Sequence, residues 1–400
     1  MPTGGWPCDS ERLRRSRRSL AERDVRPVAP GNRQGGLMPS TMMAVVTVQI
    51  VFETHSTTED NEAGIAAGWL PGRLSATGRQ QAVELGSRRR CDGLTAVFSS
   101  DLTRAADTVE IALGGSGIPR FADWRLRECN YGSLNGSPAA EVHDDRLARL
   151  EVPYPGGESW AQATERVGWF VEDLGRFFGD ARVLVVGHVA TRWGLDRALR
   201  GITLGRLAGE RFVWQPGWQY RMPGRTERAI LENWLGAPSL AGPRLRLEAL
   251  RVEHADEMAP LLDDLELHTF IGGKPASCAE LRERYRRQVA GRSPDGCERW
   301  LNWVVRRASD RHAVGTLQAT VTVDAGRPVA EVAWVIASAE QGRGYAREAA
   351  TAMVAWLRTQ GVAAVVAHIH PNHRASAAVA AAAGLCPTDF IEDGETRWVG

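Results

Sequence analysis

Two different alternations of strand and helix follow one another in this sequence, and no single sheet accommodates both. From Ala44, β-branched runs at Val45 to Phe52, Leu94 to Phe98 and Arg182 to Val186 are separated by helical patterns. Those patterns span Gly78 to Arg89, Leu102 to Leu113 and Trp160 to Phe178. Such alternation predicts an α/β domain with a mostly parallel sheet covered on both faces. After Gly236 to Gly242, which reads as a linker, the order changes. A strand at Leu245 to Leu250 and a helix at about Glu253 to Asp263 precede three antiparallel strands, Trp303 to Arg306, Ala313 to Val323 and Val329 to Ile336. A helix at about Gly344 to Thr359, a strand at Ala363 to Ile369 and a helix at Ala375 to Ala383 complete an α+β order. A chain of 400 residues exceeds one ordinary core. Two domains are therefore expected, 44–235 and 245–400, joined by 236–244.

Composition narrows the partners. Apolar residues make up 43% and charged residues 24%, ordinary globular usage. Lys and Arg number 49 against 48 Asp and Glu, a formal net charge of +1, so no global field recruits nucleic acid or an anionic membrane. The six cysteines (Cys8, Cys91, Cys129, Cys278, Cys297, Cys386) are scattered, with no C-x-x-C pair. That argues against a zinc site or a disulfide framework and for reduced thiols in a cytoplasmic protein. No apolar run approaches the roughly 20 residues needed to span a bilayer. Residues 1–43 stand apart, arginine-rich at Arg12 to Arg18 and rich in Pro, Gly and Asn at Pro27 to Gly36. No apolar segment follows until Met42, so no signal peptide is read. A disordered tail, or a start placed too early with Met38, Met42 or Met43 as initiator, is expected there in preference to a nucleic-acid arm.

Three polar loops each follow a strand of the first rhythm: His55, Ser99 to Arg104, and His188. Ligands of open α/β sheets bind beyond the carboxyl ends of strands, so these residues should converge. Two imidazoles and a guanidinium suit phosphoryl chemistry, one imidazole attacking phosphorus while the others neutralise charge on its oxygens. The motifs around them carry a family resemblance. Thr54-His55-Ser56-Thr57-Thr58-Glu59-Asp60-Asn61 stands where histidine phosphatases have R-H-G-E-(S/T)-x-x-N. Leu74 to Ala82 matches L-(S/T)-x-x-G-x-x-Q-A, and Ser99 to Ala105 matches S-S-D-L-x-R-A. Leu126-Arg127-Glu128 with Tyr131-Gly132 and Gly136, Pro155 to Ser159, and Val185 to His188 complete the series. The stretch from Ala44 to about Met222 thus resembles the histidine phosphatase superfamily, with its three-layer phosphoglycerate-mutase-like fold. The resemblance implies His55 as the nucleophile that forms a phosphohistidine. It implies Arg104, His188 and Asn61 as holders of the phosphoryl oxygens and Glu128 as proton donor to the leaving group, a role that calls for a partly desolvated carboxyl. Two positions depart from the pattern: Thr54 stands for the family's arginine and Ser56 for its glycine. A missing guanidinium removes a potentially bidentate phosphate contact. Arg73, Arg127 and Arg192 are the candidates to supply a cation instead.

In the second rhythm, Gln341-Gly342-Arg343-Gly344-Tyr345-Ala346 follows a strand and opens a helix. Small residues let the backbone approach a ligand, and the N–H groups of a first helical turn bind anions, which predicts a pyrophosphate cradle. No G-K-(S/T) ends the run, which excludes a P-loop, and a dinucleotide fingerprint lacks its third glycine. Leu245 to about Arg397 resembles the GCN5-related N-acetyltransferase (GNAT) family, whose (R/Q)-x-x-G-x-(G/A) motif is matched by Gln341, Gly344 and Ala346. Upstream, Glu331 to Ile336 matches the strand that splays open for pantetheine. Downstream, His370 to Ser376 with Ala383-Gly384-Leu385 resembles the second CoA-contacting segment, including Asn372 and Ser376. The resemblance implies acetyl-CoA as co-substrate, with backbone N–H groups from about Arg343 to Arg347 on the pyrophosphate and main chain near Val335 on pantetheine. Acetyl transfer needs an amine made neutral, a carbonyl polarised and a thiolate protonated. Glu331 is the candidate base, directly or through water, with a plain edge-strand charge as the alternative. The tyrosine acid of many members is missing at Val379-Ala380-Ala381, which leaves Ser376 or water. Leu267 to Trp303, with His268, Phe270, Gly272, Gly273, Arg292, Asp295 and Trp300, falls where the family shapes its acceptor pocket. Aromatic and acidic residues there suit a cationic small-molecule or peptide amine, and equally plain packing.

The expectation is a bifunctional cytoplasmic protein that acetylates an amine and hydrolyses a phosphomonoester. A rival reading makes only the C-terminal domain an enzyme, the N-terminal one serving as a phosphate-ligand binding module or as the interface of a homodimer. No metal is implied, because carboxylates and histidines do not fall at ligand spacing within a helix. No nucleic acid or membrane partner is expected.

Overall fold

The computed structural model describes residues 47–179, 181–210, 212–234, 236–270 and 273–400. The expected tail with its start candidates Met38, Met42 and Met43, as well as Cys8 and Gly272, lies outside the described residues. The chain divides into two compact units. Among the described residues, one gathers those from Thr47 to Asn233 together with Ser293–Glu298, the other Trp234–Arg292 and Arg299–Gly400.

The first unit contains β1 (Thr47–Thr54), α1 (Ala76–Arg89), β2 (Ala96–Ser99), α2 (Thr103–Leu113), β3 (Arg120–Ala122), α3 (Trp160–Phe177), β4 (Ala181–Gly187), α4 (Val189–Arg200) and β5 (Trp218–Pro223). The sheet order is β3-β2-β4-β1-β5, parallel except for β5 at one edge. Alternation along β1 loads both faces. Val48, Ile50 and Phe52 meet Val167, Phe170 and Leu174 of α3 and Leu195 of α4. Val51 meets Leu85 of α1 and Ala105 and Val109 of α2 on the other side. This is the doubly covered parallel sheet the first rhythm predicts. β5 carries no expectation from the sequence, although Trp218, Tyr220 and Met222 are buried in alternation with less buried Gln219 and Arg221. β1 and β4 are hydrogen-bonded neighbours with their carboxyl ends in register at Thr54 and Gly187, which sets His55 beside His188.

The second unit contains β6 (Leu245–Ala249), α5 (Ala255–Leu261), α6 (Cys278–Gln288), β7 (Arg299–Arg307), β8 (Ala313–Asp324), β9 (Arg327–Ile336), α7 (Tyr345–Thr359), β10 (Ala364–Ile369), α8 (Arg374–Ala382), β11 (Cys386–Glu392) and β12 (Glu395–Val399). Its sheet runs β11-β12-β10-β9-β8-β7-β6 and ends on the short strand Leu240–Ala241. Part of the expected linker is therefore sheet, and the Pro238 carbonyl accepts from Trp303 Nε1 at 2.6 Å. α6 lies inside Leu267 to Trp303, the segment expected to shape an acceptor pocket, for which no helix was expected. Its signal was Leu281 and Tyr285, four residues apart, which pack with Met258 and Ala259 of α5. β9 pairs with β8 along its whole length but with β10 only from Val329↔Ala364 to Glu331↔Val366. Beyond Glu331 the two parallel strands separate, as the resemblance implies. β9 is also interior to the sheet, so Glu331 is not an edge-strand charge.

Candidate active sites

In the first unit, the loop after β1 is clamped by the residues of the L-S-x-x-G-x-x-Q-A match. Ser75 N–H donates to the Thr57 carbonyl at 3.1 Å, and Thr57 N–H donates to Gln81 Oε1 at 2.9 Å. A Cβ on Gly78 would stand 1.9 Å from the Thr57 carbonyl oxygen, so only glycine lets α1 come this close. The clamped loop holds His55 with Nδ1 2.8 Å from the Ser56 carbonyl oxygen. A carbonyl only accepts, so Nδ1 carries the proton and Nε2 presents its lone pair. Arg104 Nε donates to that Nε2 at 3.3 Å. Arg104 is itself buried and fixed, donating to the carbonyls of Gly68 (2.7 Å) and Leu70 (3.0 Å). Its Nη2 also meets His188 Nδ1 at 3.4 Å, and the two imidazole centroids are 4.9 Å apart. His188 Nε2 is buried with no hydrogen-bond partner. Asn61 lines the same cleft, its side chain accepting from Thr58 N–H in the capping box of the Glu59–Glu62 turn.

Glu128 joins this group through the start of α4. Its carboxyl accepts from the backbone N–H groups of Cys129 (2.8 Å), Ala190 (3.1 Å) and Val189 (3.3 Å). The strand and loop therefore bring together all five sequence candidates, His55, Asn61, Arg104, Glu128 and His188, around one cleft of about 740 Å³. Thr54 lines it as well, with no guanidinium in its place. The expected replacements are elsewhere. Arg73 is exposed, Arg127 forms a two-bond pair with Asp101 (2.6 and 2.7 Å), and Arg192 pairs with Asp196 at 3.3 Å. The further cations on the cleft wall are Arg88 and Arg146, which no motif marked. Sequence reasoning also missed Arg166, whose guanidinium holds the carbonyls of Arg125, Arg127 and Glu128 and the carboxylate of Glu158.

Burial first, then Arg104, pushes His55 down to about 3 against the Ser56 carbonyl, which raises it. Burial, then Arg104, His55 and Arg166, holds His188 well below the ordinary histidine value. The resting site is one guanidinium and two neutral imidazoles. Unfolding lets both histidines charge below their ordinary value of 6.5, protons the folded site refuses down to about 3 for His55. Stability of this unit is thus complete above that window and declines as pH falls through it. A His55→Gln/His188→Gln variant is expected to flatten the melting-temperature profile there in scanning calorimetry. An unchanged slope would assign the dependence to other groups.

In the second unit, Gln341 Nε2 donates to the Ile336 carbonyl at 2.9 Å, tying the loop back to the end of β9. Gly344, at φ +80°, starts α7 without a side-chain cap, and Gly342 is left-handed as well at φ +71°. The loop is held by Arg244, which donates to the Arg343 carbonyl (3.1 Å) and Glu348 (2.8 Å) and lies 5.2 Å from the Tyr345 ring centroid. Ala346 continues the first turn of α7. Uncapped N–H groups at a helix start favour anions. Val335 belongs to the part of β9 that has left β10. Asn372 and Ser376 stand at the start of α8, where His373 Nδ1 accepts from Ser376 N–H at 3.4 Å. Phe270 stacks on His373 with ring centroids 4.4 Å apart, which joins the expected acceptor segment to this turn. Asp295 instead accepts from Ser293 Oγ and Cys297 N–H within a loop that belongs to the first unit.

Glu331 has a partner the sequence did not announce, His368 Nδ1 at 3.1 Å. The hydrogen bond that His368 donates to Glu331, with the charges of Glu331, Glu392 and Glu395 adding, raises His368 above its ordinary value against the effect of burial. A charged His368 therefore contributes stability at low pH that fades as pH rises through its folded midpoint. Glu331→Gln is expected to lower that midpoint in an NMR titration of the ring. No change would leave Glu392 and Glu395 as the groups that hold it.

Two enzyme-type domains emerge: an α/β unit with a His–Arg–His cleft, then an α+β unit with a splayed strand pair and a glycine-rich helix start. Comparison with known families makes the assignment. The histidine phosphatase superfamily (branch 1) matches residues 50–212, and the acetyltransferase (GNAT) domain matches residues 244–385, so the chain carries both domains in that order. A 2,3-bisphosphoglycerate-dependent phosphoglycerate mutase of Streptococcus pyogenes serotype M5 is 38% identical over 100 residues, 24% of this chain and 43% of that protein. The chain thus spans less than half the length of the curated relatives it matches. Among solved structures, Bacillus stearothermophilus YhfR is 27% identical, with 42% of this chain and 88% of that one covered and a TM-score of 0.38. A mycobacterial glucosyl-3-phosphoglycerate phosphatase solved with VO3 is 26% identical, with 45% and 89% covered and a TM-score of 0.36. No described helix is long and apolar enough to cross a membrane. Among the described residues, no three His, Cys, Asp or Glu side chains gather as a metal site requires.

Proposed function

We propose that the first unit hydrolyses a phosphomonoester through a phosphohistidine on His55. The observation that carries this is the meeting of the His55 Nε2 lone pair, the Arg104 guanidinium and the unpartnered His188 Nε2 in one cleft. His55 Nε2 forms the bond to phosphorus as the ester oxygen leaves, and Glu128 delivers the proton that oxygen takes up. Arg104, His188 and Asn61 hold the three remaining oxygens, where charge-assisted bonds are strongest in a site removed from water. Water then attacks phosphorus as the N–P bond breaks back onto His55 Nε2, phosphate leaves, and Glu128 accepts the proton of that water. The test is p-nitrophenyl phosphate with full-length protein and no added metal. Turnover with an acid-labile phosphate on the peptide that contains His55 supports the reading. Tight phosphate binding with neither turnover nor label would make the unit a binding or dimerisation module.

The second unit, in the same reading, transfers acetyl from acetyl-CoA to an amine. Support comes from the open edge of β9 beyond Glu331 and from the uncapped start of α7. If bound, acetyl-CoA would supply a thioester beside β9, its pyrophosphate held by backbone N–H groups from Arg343 to Arg347. Glu331, kept in place by His368, takes the amine proton. At a hundredfold excess over Kd, acetyl-CoA is expected to add about 2.7 kcal/mol to the stability of this unit. An unchanged melting temperature at that excess would remove the reading.

A further inference from the structure

Arg146 opens a helical turn, Arg146–Arg149, on the wall of the His55 cleft. It does not touch the phosphoryl-facing groups, and no described carboxylate pairs with it. The neighbouring Asp145 is bound to Arg149 at 2.6 Å. Arg146 Nε is buried with no hydrogen-bond partner, and the guanidinium carbon lies 5.7 Å from the Trp160 ring centroid and 5.5 Å from that of Trp193. A cation set beside a pair of packed indoles, whose centroids are 4.3 Å apart, with an idle buried donor, is arranged for an anion the protein does not itself provide.

A second hollow, of about 150 Å³, adjoins the cleft and shares His143, Arg146, Val189 and Phe212 with it. It adds a second guanidinium, Arg192. Asp196 lies 3.3 Å from Arg192 but also serves Arg200 at 2.8 Å, so two cations share one carboxylate. Glu210, the carboxylate on the hollow's wall, is matched by Arg206 at 3.2 Å. The balance in the hollow is positive. The cleft that holds the two histidines has the aromatic side chains of Tyr131, Trp160 and Phe212 in its lining.

We propose that the substrate of this cleft is a phosphomonoester whose leaving group has a flat apolar body and carries a second anion, seated on Arg146 with Arg192 behind it. The proposal rests on the hydrolase reading for the chemistry but not for the binding. The test is therefore calorimetric binding of two uncleavable probes, benzylphosphonate and 4-carboxybenzylphosphonate, to full-length protein. The carboxylate is expected to tighten Kd about tenfold or more, the effect of a charged hydrogen bond. Arg146→Gln is expected to erase that ratio while benzylphosphonate Kd stays within about threefold, as for a substitution outside the phosphoryl pocket. Arg192→Gln should reduce the ratio in part. Equal Kd values in the unaltered protein would overturn the proposal, as would a ratio that survives Arg146→Gln. Failure of either phosphonate to bind overturns it together with the phosphate pocket. Absence of p-nitrophenyl phosphate turnover leaves the Kd ratio readable and counts only against the hydrolase reading.

Discussion

Alanine at His55 is expected to lower kcat for p-nitrophenyl phosphate by about 10⁴-fold or more, the scale of losing a nucleophile. No neighbouring group takes its place. His188 engages Arg104 through Nδ1 at 3.4 Å and is buried. Glu128 has its oxygens engaged by three backbone N–H groups. Affinity for inorganic phosphate should fall far less, because Arg104 and His188 remain. This split between kcat and binding separates a nucleophile from a charge that merely attracts the ester. Steady-state kinetics of both proteins, with phosphate inhibition constants, provides the check. A variant that keeps a tenth of the turnover would show water attacking phosphorus directly, and the role of His55 would reduce to binding.

Much of this was readable from the residues. β1, β2 and β4 announced themselves through β-branched runs, while β3 and β5 did not, and parallel neighbours β1 and β4 made the convergence of His55 and His188 a consequence of topology. The splay of β9 from β10 was legible only through family likeness, since nothing in the run Glu331 to Ile336 says where pairing stops. Sequence placed Thr54 at the missing cation but misjudged the candidates to replace it. Arg127 is committed to Asp101, twenty-six positions away and beyond what the sequence pattern expresses, whereas Arg192 shares Asp196 one helical turn on, a spacing that the pattern carried and the reading overlooked. Arg146 was invisible for the opposite reason. An arginine in a helical turn ordinarily reads as solvated, and only the two indoles around it show otherwise. Glu331 gained its partner from β10, thirty-seven positions away.

Arg166 is where the fold and the site depend on one side chain, and its replacement by methionine is expected to cost the first unit about 3–5 kcal/mol, as when one partner of a buried pair is removed. Its side chain is only 2% exposed, and that of Glu158 is 18% exposed. Nε and Nη2 bind the two Glu158 oxygens at 2.9 Å, while Nη1 and Nη2 donate to three carbonyls of one short segment, Arg125, Arg127 and Glu128, each at 2.8 Å. Methionine fills much of the volume but takes the donor from the Arg125 and Arg127 carbonyls and the cation from Glu158, which keeps the Asn130 N–H at 3.0 Å, so buried hydrogen bonding and charge pairing are what the variant loses rather than packing. The same carbonyl of Glu128 also accepts from Trp69 Nε1 at 2.6 Å, which ties the loop from its other side. Freed from Arg166, the loop should let the Glu128 carboxyl drift from its N–H groups at the start of α4, and kcat should fall with stability. Two units melt in one chain, so hydrogen exchange of α3 amides is the proper readout, being confined to this unit. Adding Glu158→Gln to the methionine variant should restore part of the stability by removing the stranded charge, but not kcat, because the Arg125 and Arg127 carbonyls still lack the guanidinium that grips the loop. Full recovery of both would mean the ion pair alone, and not the grip on the loop, accounts for Arg166.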